Sequence, residues 1–440
     1  MYNTARSAAL EALERCINSG AWSGAVIDNI IKKYKLQDRD ASLASRLVLG
    51  VLQNIDYCDY CVSIYYSKPL NKLEKRVLNI LRLGAYQLLF LDKIPARAAV
   101  NECVELCRNC GCSKASGLVN AVLRRMSERN EAFPTVPDAG SNKHLAVRYS
   151  HPEWLVEKIS SLHGYDFAEA YFAKNNDISK LSIQVNRLKV SSAEYMKALS
   201  RKEIAFRALE GIDGCLILEG GKVTDLPGFD DGLFYVQDPA ARIAVEAAGV
   251  KPGMKVLDAC SAPGGKSFAA AINMENNGSI LSCDIHDKKL SLISSGAQRL
   301  GIEIIETKAR DARISDETLN NSFDVIIADV PCSGLGVIAK KPEIRSKDPK
   351  ELVGLPEIQK QILENLSAFI KVGGVILYST CTVLPEENEE VVRDFLSKHP
   401  EFETENFTVG NIASTNGMYT FWPNVDDTDG FFAAKIRRIK

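Results

Sequence analysis

The sequence lacks any apolar run of the roughly 20 residues that a membrane-spanning helix needs. Its first 20 residues place two arginines and two glutamates on a helical pattern, where a secretory signal peptide would have an apolar core. We therefore expect a cytoplasmic protein with no membrane attachment. The 12 cysteines are scattered and lie mostly within apolar segments, so we expect reduced thiols.

Two common nucleotide-binding signatures are also missing. The chain has neither Gly-x-Gly-x-x-Gly at the expected place nor the phosphate loop Gly-x-x-x-x-Gly-Lys-Ser/Thr. A dinucleotide or a nucleoside triphosphate is therefore not the first expectation for a ligand. Internal repeats and low-complexity segments are absent as well, which leaves ordinary globular domains.

The charge is distributed unevenly along the chain. The 440 residues allow two or three domains at roughly 100–200 residues each. The formal net charge is −2, but residues 1–150 contain 21 Lys and Arg against 14 Asp and Glu, so they carry +7 and the remainder −9. A basic amino-terminal third indicates an anionic partner, although a solvated helical surface explains the charge equally well.

Three regions follow one another in the sequence. Residues 1 to about 130 have apolar positions at helical spacing and predict a helical bundle. Residues 131–145 are rich in Pro, Gly, Ser and Asn and predict a linker. Residues 145–235 mix helices with strands at 181–185 and 215–218, which predicts a small α+β domain. Residues 236–440 alternate apolar strands with helices, which predicts an α/β domain with a mainly parallel sheet.

In this last region we predict the following elements. The strands are expected at 255–258, 279–284, 302–307, 323–329 and 374–379, with a late pair around 402 and 431–436. The helices between them are expected at 288–300, 355–370 and 386–397.

One stretch, residues 254–272, organises the α/β region. A strand runs into a small-residue loop from Asp258 to Lys266, and an Ala-rich helix follows. Gly264 and Gly265 permit close backbone approach because they have no Cβ. A strand, a glycine loop and a helix N-terminus hold nucleotide-like ligands in doubly wound folds. The stretch therefore predicts a small adenosine-type ligand.

Acidic residues stand where several predicted strands end. Ligands of such sheets gather beyond the carboxyl ends of the strands. Those ends carry Asp258, Asp284 and Asp329, and strand three leads to Asp311. Asp284 is suited to two ribose hydroxyls and Asp311 to an adenine edge. Carboxylates at several strand ends together predict a binding site at this edge.

Two cysteines are expected to face the same cavity. Cys332 follows strand four and Cys381 follows strand five, and neighbouring strands lie about 5 Å apart. Two thiols there are compatible with disulfide exchange, a metal pair or nucleophilic catalysis. Because they have no Cys-x-x-Cys spacing and no histidine nearby in sequence, nucleophilic catalysis fits best.

Several motifs resemble those of the RNA 5-methylcytosine methyltransferases of the Sun/NSUN family. They are the loop at 258–266, Asp329-Val330-Pro331-Cys332-Ser333-Gly334 and Tyr378-Ser379-Thr380-Cys381-Thr382. Residues 115–125 resemble part of a NusB-type RNA-binding helical domain, and shorter pieces at 237–239, 387–389 and 429–432 support the resemblance. It covers nearly the whole chain and is closest to a bacterial branch of the family.

The resemblance implies a NusB-like domain at 1–130, an α+β linker or RNA-binding domain at 145–235, and a Rossmann-like class I methyltransferase domain at 236–440. It implies S-adenosylmethionine as methyl donor, no metal, and 16S rRNA as substrate, free or early in small-subunit assembly, for a monomeric enzyme. It implies Cys381 as nucleophile and Cys332 as the helper in product release. The implied cofactor-binding residues are Cys260, Ser261, Ala262, Pro263, Gly264, Gly265, Lys266, Asp284, Asp311 and Asp329.

The chemistry itself calls for a thiol, because carbon 5 of cytosine is a poor nucleophile. Addition of a thiolate to carbon 6 lets carbon 5 accept a methyl group, and Asp329 can hydrogen-bond the ring edge as a further catalytic residue. The target base must leave its stack to reach the site. Two alternatives stay open: a DNA cytosine methyltransferase with Cys332 as nucleophile, and an RNA-docking factor with an inactive catalytic domain.

Other features have simpler interpretations. The spacings Cys58-x-x-Cys61 and Cys103-x-x-x-Cys107-x-x-Cys110 lie on helical patterns, so we predict core thiols there and no metal site. Residues 386–390 are interpreted as the acidic first turn of a helix. The resemblance favours an RNA contact over a solvated loop for Lys340, Lys341 and Arg345. Two positions depart from the family pattern: Arg310 replaces a common glycine, and Ser261 replaces a common alanine.

Overall fold

The computed structural model of the protein describes residues 3–128, 134–220 and 222–440. Contacts divide the chain into two compact units. Unit 1 comprises Met1–Ile178 and Ile338–Pro349, and unit 2 comprises Ser179–Val337 and Lys350–Lys440. In the described ranges, no helix combines the length and the apolar character that a bilayer crossing requires.

Unit 1 is helical, as the apolar spacing predicts. Its helices are α1 (Ala5–Ser19), α2 (Ser23–Tyr34), α3 (Asp38–Gln53), α4 (Ile55–Tyr65), α5 (Lys75–Phe90), α6 (Ala96–Asn109), α7 (Ser116–Ser127), α8 (Asn142–Tyr149), α9 (Glu153–His163) and α10 (Tyr165–Lys174). Thr4 and Ser7 form a reciprocal capping pair at the start of α1. Apolar faces of α1 to α7, including Leu13 and Leu47, meet in one core.

The predicted linker at 131–145 is shorter than expected. Residues 131–133 lie outside the described residues, and α8 already begins at Asn142. The helix starts there because the Ser141 hydroxyl accepts a hydrogen bond of 3.1 Å from the backbone N–H of His144. Helices α9 and α10, which the sequence pattern assigns to the small α+β domain, cluster with unit 1.

One segment of unit 1 comes from a distant part of the chain. Residues 338–349 follow directly after the loop of Cys332 and carry the buried Arg345, whose exposed fraction is 7%. Its guanidinium donates at 2.5–3.1 Å to the backbone carbonyls of Gln53, Tyr149, Ser150 and Asn175 and to the side chain of Asn176.

The prediction of an RNA contact or a solvated loop is therefore wrong for Arg345. Its acceptors lie at or next to the carboxyl ends of α3, α8 and α10, where helices leave carbonyls unpaired. The guanidinium has five donors in a fixed fork and satisfies these carbonyls together. Arg345 is thus an internal anchor of unit 1.

Arg345→Met is expected to lower the free energy of unfolding by at least about 3 kcal/mol, because several buried carbonyls lose their donor. Urea denaturation followed by circular dichroism measures this change. Arg39→Met removes an exposed arginine from α3 and should change stability by no more than about 0.5 kcal/mol. Equal losses for the two variants would refute the anchoring role.

Unit 2 begins with a small antiparallel sheet. Its strands are β1 (Leu181–Val185), β2 (Phe206–Ala208), β3 (Cys215–Leu218) and β4 (Phe234–Val236), in the order β2-β3-β1-β4. Helix α11 (Ser192–Arg201) packs Tyr195 and Leu199 against Ile183 and Leu216 of the sheet. The strands predicted at 181–185 and 215–218 are confirmed.

The rest of unit 2 is an α/β domain around an eight-stranded sheet. Its helices are α12 (Pro239–Ala248), α13 (Gly265–Asn273), α14 (Asp287–Leu300), α15 (Leu355–Ser367), α16 (Glu389–Lys398) and α17 (Pro423–Asp426). Its strands are β5 (Lys255–Asp258), β6 (Ser279–Asp284), β7 (Ile305–Ala309), β8 (Phe323–Asp329), β9 (Ile370–Thr380), β10 (Phe402–Thr404), β13 (Met418–Phe421) and β14 (Phe431–Arg438). A separate hairpin joins β11 (Thr408–Val409) and β12 (Ile412–Ala413).

The sheet order is β10-β14-β9-β8-β5-β6-β7, with β13 beside β14. Strands β5 to β9 are parallel, whereas β10, β13 and β14 pair antiparallel. Successive residues serve different cores: Val256 and Ile327 belong to one, and Leu257 and Ile326 to the other. The parallel strands are therefore covered on both faces, as their apolar sequences predict.

Around β7 and β9, three element boundaries differ from prediction. The strand expected at 302–307 is β7 at Ile305–Ala309, because Ile302 still donates its N–H to Ala297 in the cap of α14 after Gly301. The helix expected to reach residue 370 stops at Ser367, because Ile370 pairs with Phe323 in the sheet. Strand β9 is accordingly longer than its predicted 374–379.

His399 makes unit 2 sensitive to pH. Its ring nitrogens lie 2.8 Å from Glu364 and 3.0 Å from Glu401. Burial alone would lower the pKa of His399, but hydrogen bonds and charges from the two carboxylates outweigh burial and raise it above the ordinary value. The stabilisation is therefore complete below about pH 6.5 and is lost as pH rises through the raised pKa.

His399→Gln is expected to destabilise the protein by about 0.5–1 kcal/mol at pH 5.5 and by less at pH 8.5, because only the charged imidazole attracts both carboxylates. Denaturation of wild type and variant at both pH values gives the difference. A destabilisation that does not change with pH would contradict this assignment.

Candidate active site

The parallel strands bring their carboxyl ends to one edge of the large sheet, as predicted. Strands β8 and β9 are direct neighbours, with Asp329 opposite Ser379 in register. Asp258 ends β5, Asp284 ends β6, and Asp311 follows β7. The topology thus gathers the carboxylates and the two cysteine loops at one edge.

The loop between β5 and α13 is built for close packing. Gly264 has φ +110°, and a Cβ there would lie 2.6 Å from the Phe268 ring, so glycine is required. The backbone N–H and the hydroxyl of Ser261 donate to the Cys283 carbonyl at 2.7 and 2.9 Å. The serine that departs from the family pattern therefore ties this loop to β6.

A cavity of about 380 Å³ opens beside the loop. The predicted cofactor-binding residues that line it are Cys260, Ala262, Asp284, Asp311 and Asp329, and its apolar wall includes Ile358 and Ile362. Asp284 is largely buried and accepts a 2.9 Å hydrogen bond from the backbone N–H of His286. Hydrogen bonding from Arg313 holds the pKa of Asp311 below its ordinary value.

Arg310 is the other departure from the family pattern, and its side chain contacts the protein rather than only solvent. Its guanidinium lies 4.7 Å from the centre of the Phe369 ring and donates to the backbone carbonyl of Ile314. These contacts brace the turn that carries Asp311, and Arg310 is not among the residues with positive φ, so the turn does not require glycine at this position.

A smaller cavity of about 170 Å³ adjoins the first and shares Cys260, Ala262 and Asp329 with it. Its other predicted lining residues are Ser261, Pro263, Gly265 and Lys266. Asp258 also lines it; its Oδ2 accepts a 2.6 Å hydrogen bond from Ser267, whereas its buried Oδ1 has no hydrogen-bond partner among the described residues. Burial raises the pKa of Asp258 to about 7.

Lys266 and Asp329 form an ion pair at the junction of the cavities and the cysteine loops. Lys266 Nζ lies 2.6 Å from Asp329 Oδ2 and 5.1 Å from the centre of the Phe431 ring. Ser379 donates to Asp329 Oδ1 at 2.9 Å. Burial opposes the charge on Lys266, but Asp329 outweighs it, and a negative Cys381 adds to the effect, so the pKa of Lys266 is raised.

The two cysteines meet at the strand ends. Their sulfur atoms are 3.0 Å apart, and the backbone N–H of Cys381 lies 3.2 Å from Cys332 Sγ. Both side chains are half-buried. Hydrogen bonding with Cys381 and burial raise the pKa of Cys332 well above the ordinary value. The two thiols therefore lie together, as predicted. They line neither of the two cavities described above.

A buried polar network that sequence analysis missed holds the two cysteine loops together. Glu387 accepts hydrogen bonds from the backbone N–H of Ser333 (2.8 Å) and from Gln359 (3.0 Å). Ser333 also donates to the hydroxyl of Thr382 at 2.8 Å. Asn388 accepts from Thr380 and donates to the Thr382 carbonyl.

This network corrects the interpretation of residues 386–390 as one acidic first turn. A 3₁₀ turn spans Pro385–Glu387. Asn388 then has non-helical backbone angles, and α16 begins only at Glu389. Glu387 points inward because it pairs with the backbone of the Cys332 loop. The only sequence signal for this was the 387–389 motif, whose spacing does not reveal which side chain is buried.

Two glycines fasten the same loops through backbone contacts. Gly336 donates its N–H to the Cys381 carbonyl at 2.9 Å, and its own carbonyl accepts from Gly430 at 2.8 Å. A Cβ on Gly336 would collide with the Gly430 carbonyl, so this approach requires glycine. The 429–432 motif therefore belongs to the site.

The remaining cysteines lie where core packing was predicted. All twelve cysteines lie in the described ranges and are thiols rather than halves of disulfides. Cys58, Cys61, Cys103 and Cys107 are buried in the core of unit 1, with Cys110 partly buried at its edge. In the part of the chain that the structure describes, no group of three or more Asp, Glu, His or Cys side chains is arranged to hold a metal ion.

Comparison with family models matches three parts of the chain. A model described as 16S rRNA methyltransferase RsmB/F matches residues 248–437, a NusB family model matches residues 3–128, and a ferredoxin-like domain of RsmF/B-like methyltransferases matches residues 151–224. The three-domain fold class predicted from the sequence is confirmed by these matches together with the observed helices and sheets.

Comparison with individual proteins extends over the full length. The chain is 35% identical to the probable ribosomal RNA small subunit methyltransferase B of Bacillus subtilis, covering 98% of each chain. It is 31% identical to the protein of the same name from Synechocystis, covering 99% of each. The crystal structure of PH0851 has the same fold, with a TM-score of 0.81 and 24% identity over 98% of this chain and 99% of the other.

Proposed function

The chain belongs to the family of ribosomal RNA small subunit methyltransferase B, and from that premise we propose that it methylates carbon 5 of a cytosine in 16S rRNA through a covalent bond to Cys381. The observation that carries this proposal is the 3.0 Å approach of the Cys381 and Cys332 sulfurs beside the Lys266–Asp329 ion pair. The thiolate is the reactive form of a cysteine, and a nearby cation such as the Lys266 ammonium favours it.

Cys381 is the proposed nucleophile. Its thiolate adds to carbon 6 of the flipped cytosine, and the electron pair of the 5,6 double bond moves to carbon 5, which becomes the methyl acceptor. The ammonium of Lys266 attracts a Cys381 thiolate, since a negative Cys381 is among the influences that raise the pKa of Lys266. The attraction between two opposite charges stabilises both of them, so Lys266 favours the thiolate, which is the reactive form of Cys381.

Cys332 is the proposed helper in product release. Its raised pKa keeps it a thiol, and its sulfur lies 3.0 Å from that of Cys381, within hydrogen-bonding reach. When the carbon-5 proton leaves to a base and the carbon–sulfur bond breaks, Cys381 departs as a thiolate. A hydrogen bond from the Cys332 thiol stabilises that departing charge.

Asp329 is proposed to act on both the base and the ion pair. Its Oδ1 accepts from Ser379 and its Oδ2 from Lys266, so the carboxylate is fixed at the end of β8. It lines both cavities and lies next in sequence to the Cys332 loop. From this position it can hydrogen-bond the edge of a cytosine ring.

The two adjoining cavities fit the proposed cofactor. Asp284 at a strand end suits a ribose diol, and the apolar wall at Ile358 and Ile362 suits an adenine face. The unpaired Asp258 Oδ1 at the wall of the smaller cavity suits the ammonium group of an amino-acid moiety. S-adenosylmethionine, when bound, supplies an electrophilic methyl group on a sulfonium.

The other expectations are retained as proposals. We propose that residues 1–130 and 145–235 bind RNA, that 236–440 form the methyltransferase domain, and that no metal takes part. We further propose that the enzyme is a cytoplasmic monomer and that its substrate is 16S rRNA, free or early in assembly of the small subunit.

The test is transfer of labelled methyl groups from S-adenosylmethionine to defined acceptors. We expect 16S rRNA to be labelled, and bisulfite sequencing to locate 5-methylcytosine at a single position. A DNA duplex of the same sequence should remain unlabelled. Labelling of DNA in preference to RNA would favour the alternative in which Cys332 is the nucleophile, and a lack of cofactor binding by calorimetry would favour a docking factor.

A further inference from the structure

Glu387 is a buried carboxylate for which the proposed chemistry has no direct use. Its exposed fraction is 2%, and one oxygen, Oε1, has no hydrogen-bond partner among the described residues. A carboxylate that is buried and only half paired is costly to the fold. Its position must therefore provide something other than stability.

The second oxygen of Glu387, Oε2, is hydrogen-bonded to the loop that carries Cys332. Oε2 accepts from the backbone N–H of Ser333 at 2.8 Å and from the side chain of Gln359 at 3.0 Å. The same Gln359 amide donates to the carbonyl of Pro331 at 3.0 Å. Glu387 and Gln359 thus grip the residues on both sides of Cys332 and fix the direction of its side chain toward Cys381.

The charged surroundings of Cys332 are uneven. The groups that raise the free energy of its thiolate are Cys381, Glu387 and Asp329, and the buried Tyr378 hydroxyl also faces it. The backbone N–H of Cys381, 3.2 Å from Cys332 Sγ, favours the thiolate but does not outweigh them. The nearby cation, Lys266, is already paired with Asp329 and attracts Cys381. Negative charge is therefore favoured on Cys381 and opposed on Cys332, although the two sulfurs are only 3.0 Å apart.

We propose that Glu387 is a positioning residue that holds Cys332 as a thiol beside Cys381 and thereby decides which of the two cysteines is the nucleophile. This inference rests on the proposed function, because it assigns the cause of the division of labour between the two thiols. Glu387 acts through its charge and through its hydrogen bond to the Ser333 backbone, without touching the base.

The charge is tested by the pH dependence of alkylation in the reduced, full-length protein. Initial rates of iodoacetamide labelling are measured as a function of pH and resolved for each cysteine by peptide mass spectrometry. The pH at which the rate reaches half its maximum is the midpoint for Cys332 or for Cys381. In the wild type we expect Cys381 to have the lower midpoint. Glu387→Gln keeps the shape and the acceptor oxygen but removes the charge.

We expect Glu387→Gln to lower the Cys332 midpoint by about one pH unit, because the Glu387 charge opposes the Cys332 thiolate and a neighbouring like charge shifts a pKa by roughly that amount. At a fixed pH below the Cys332 midpoints of wild type and variant, Cys332 should then be labelled about 10-fold faster in Glu387→Gln than in the wild type. The matched control is Glu390→Gln, which removes an exposed charge from the start of α16 and should leave both midpoints unchanged.

The hydrogen bond is tested separately by Glu387→Asp. This variant keeps the charge but does not reach the Ser333 N–H, so the Cys332 midpoint should stay high. The covalent RNA adduct on Cys381 should persist several-fold longer than in the wild type, because Cys332 is no longer held beside the departing sulfur.

Two results would overturn the inference. One is a Cys332 midpoint that moves no more in Glu387→Gln than in Glu390→Gln. The other needs only the wild type: labelling of Cys332 at a lower pH than Cys381. Neither result depends on methyl transfer, so failure of this inference is distinguishable from failure of the proposed function, which would appear as an active Cys381→Ala enzyme.

Discussion

Cys381→Ala is expected to abolish methyl transfer to 16S rRNA, with a loss on the order of 10⁴-fold or more, as for removal of other enzyme nucleophiles. The loss should fall on the chemical step, because the thiolate is required to make carbon 5 of cytosine reactive. Transfer of labelled methyl groups under single-turnover conditions measures it. Binding of S-adenosylmethionine should remain, since Cys381 does not line the two cavities.

A second cysteine variant makes this result interpretable. Cys110→Ala changes a half-buried thiol of unit 1, outside the sheet that carries the site, and should leave methyl transfer near the wild-type level. Retention of substantial activity in Cys381→Ala would remove the covalent mechanism, whatever the effect of the control.

Cys332→Ala should have a different effect, namely accumulation of a covalent complex between protein and RNA. The sulfur of Cys332, 3.0 Å from that of Cys381, no longer donates a hydrogen bond to the departing thiolate. We expect release of product to slow by about 100-fold, within the range of general acid effects. A protein–RNA band that survives denaturing electrophoresis reports the adduct.

The double variant Cys332→Ala/Cys381→Ala is the matched control, because it has lost the atom that forms the bond. It should give no denaturant-resistant band. If Cys332→Ala alone gives none and releases product at the normal rate, the proposed division of labour between the two thiols is wrong.

Both effects depend on sequence features that are local. The glycine loop at 258–266 and the residues after β8 and β9 are continuous in sequence, and strand periodicity located the strands that carry them. Neighbouring parallel strands end at the same edge, so the common location of Cys332 and Cys381 was predictable before their 3.0 Å separation was known.

Other parts of the site depend on contacts between distant residues. Gln359 and Glu387 grip the Cys332 loop from an adjacent helix and turn, and their acidic and amide side chains have no periodic signature of burial. Arg345 follows the same loop yet is buried in unit 1. Polar and charged residues are usually exposed, so the sequence predicts an exposed environment for Gln359, Glu387 and Arg345, which are in fact buried.

The amino-acid sequence by itself therefore determined the order of helices and strands, the family resemblance, and the strand ends at which the chemistry lies. Local propensity and apolar spacing are properties of neighbouring residues, which is why they could be recognised without coordinates. Only the tertiary structure decided which polar groups are buried, which carbonyls Arg345 satisfies, and which negative charges surround Cys332. Burial and electrostatic interaction depend on distances through space, and those distances exist only after remote segments have packed together.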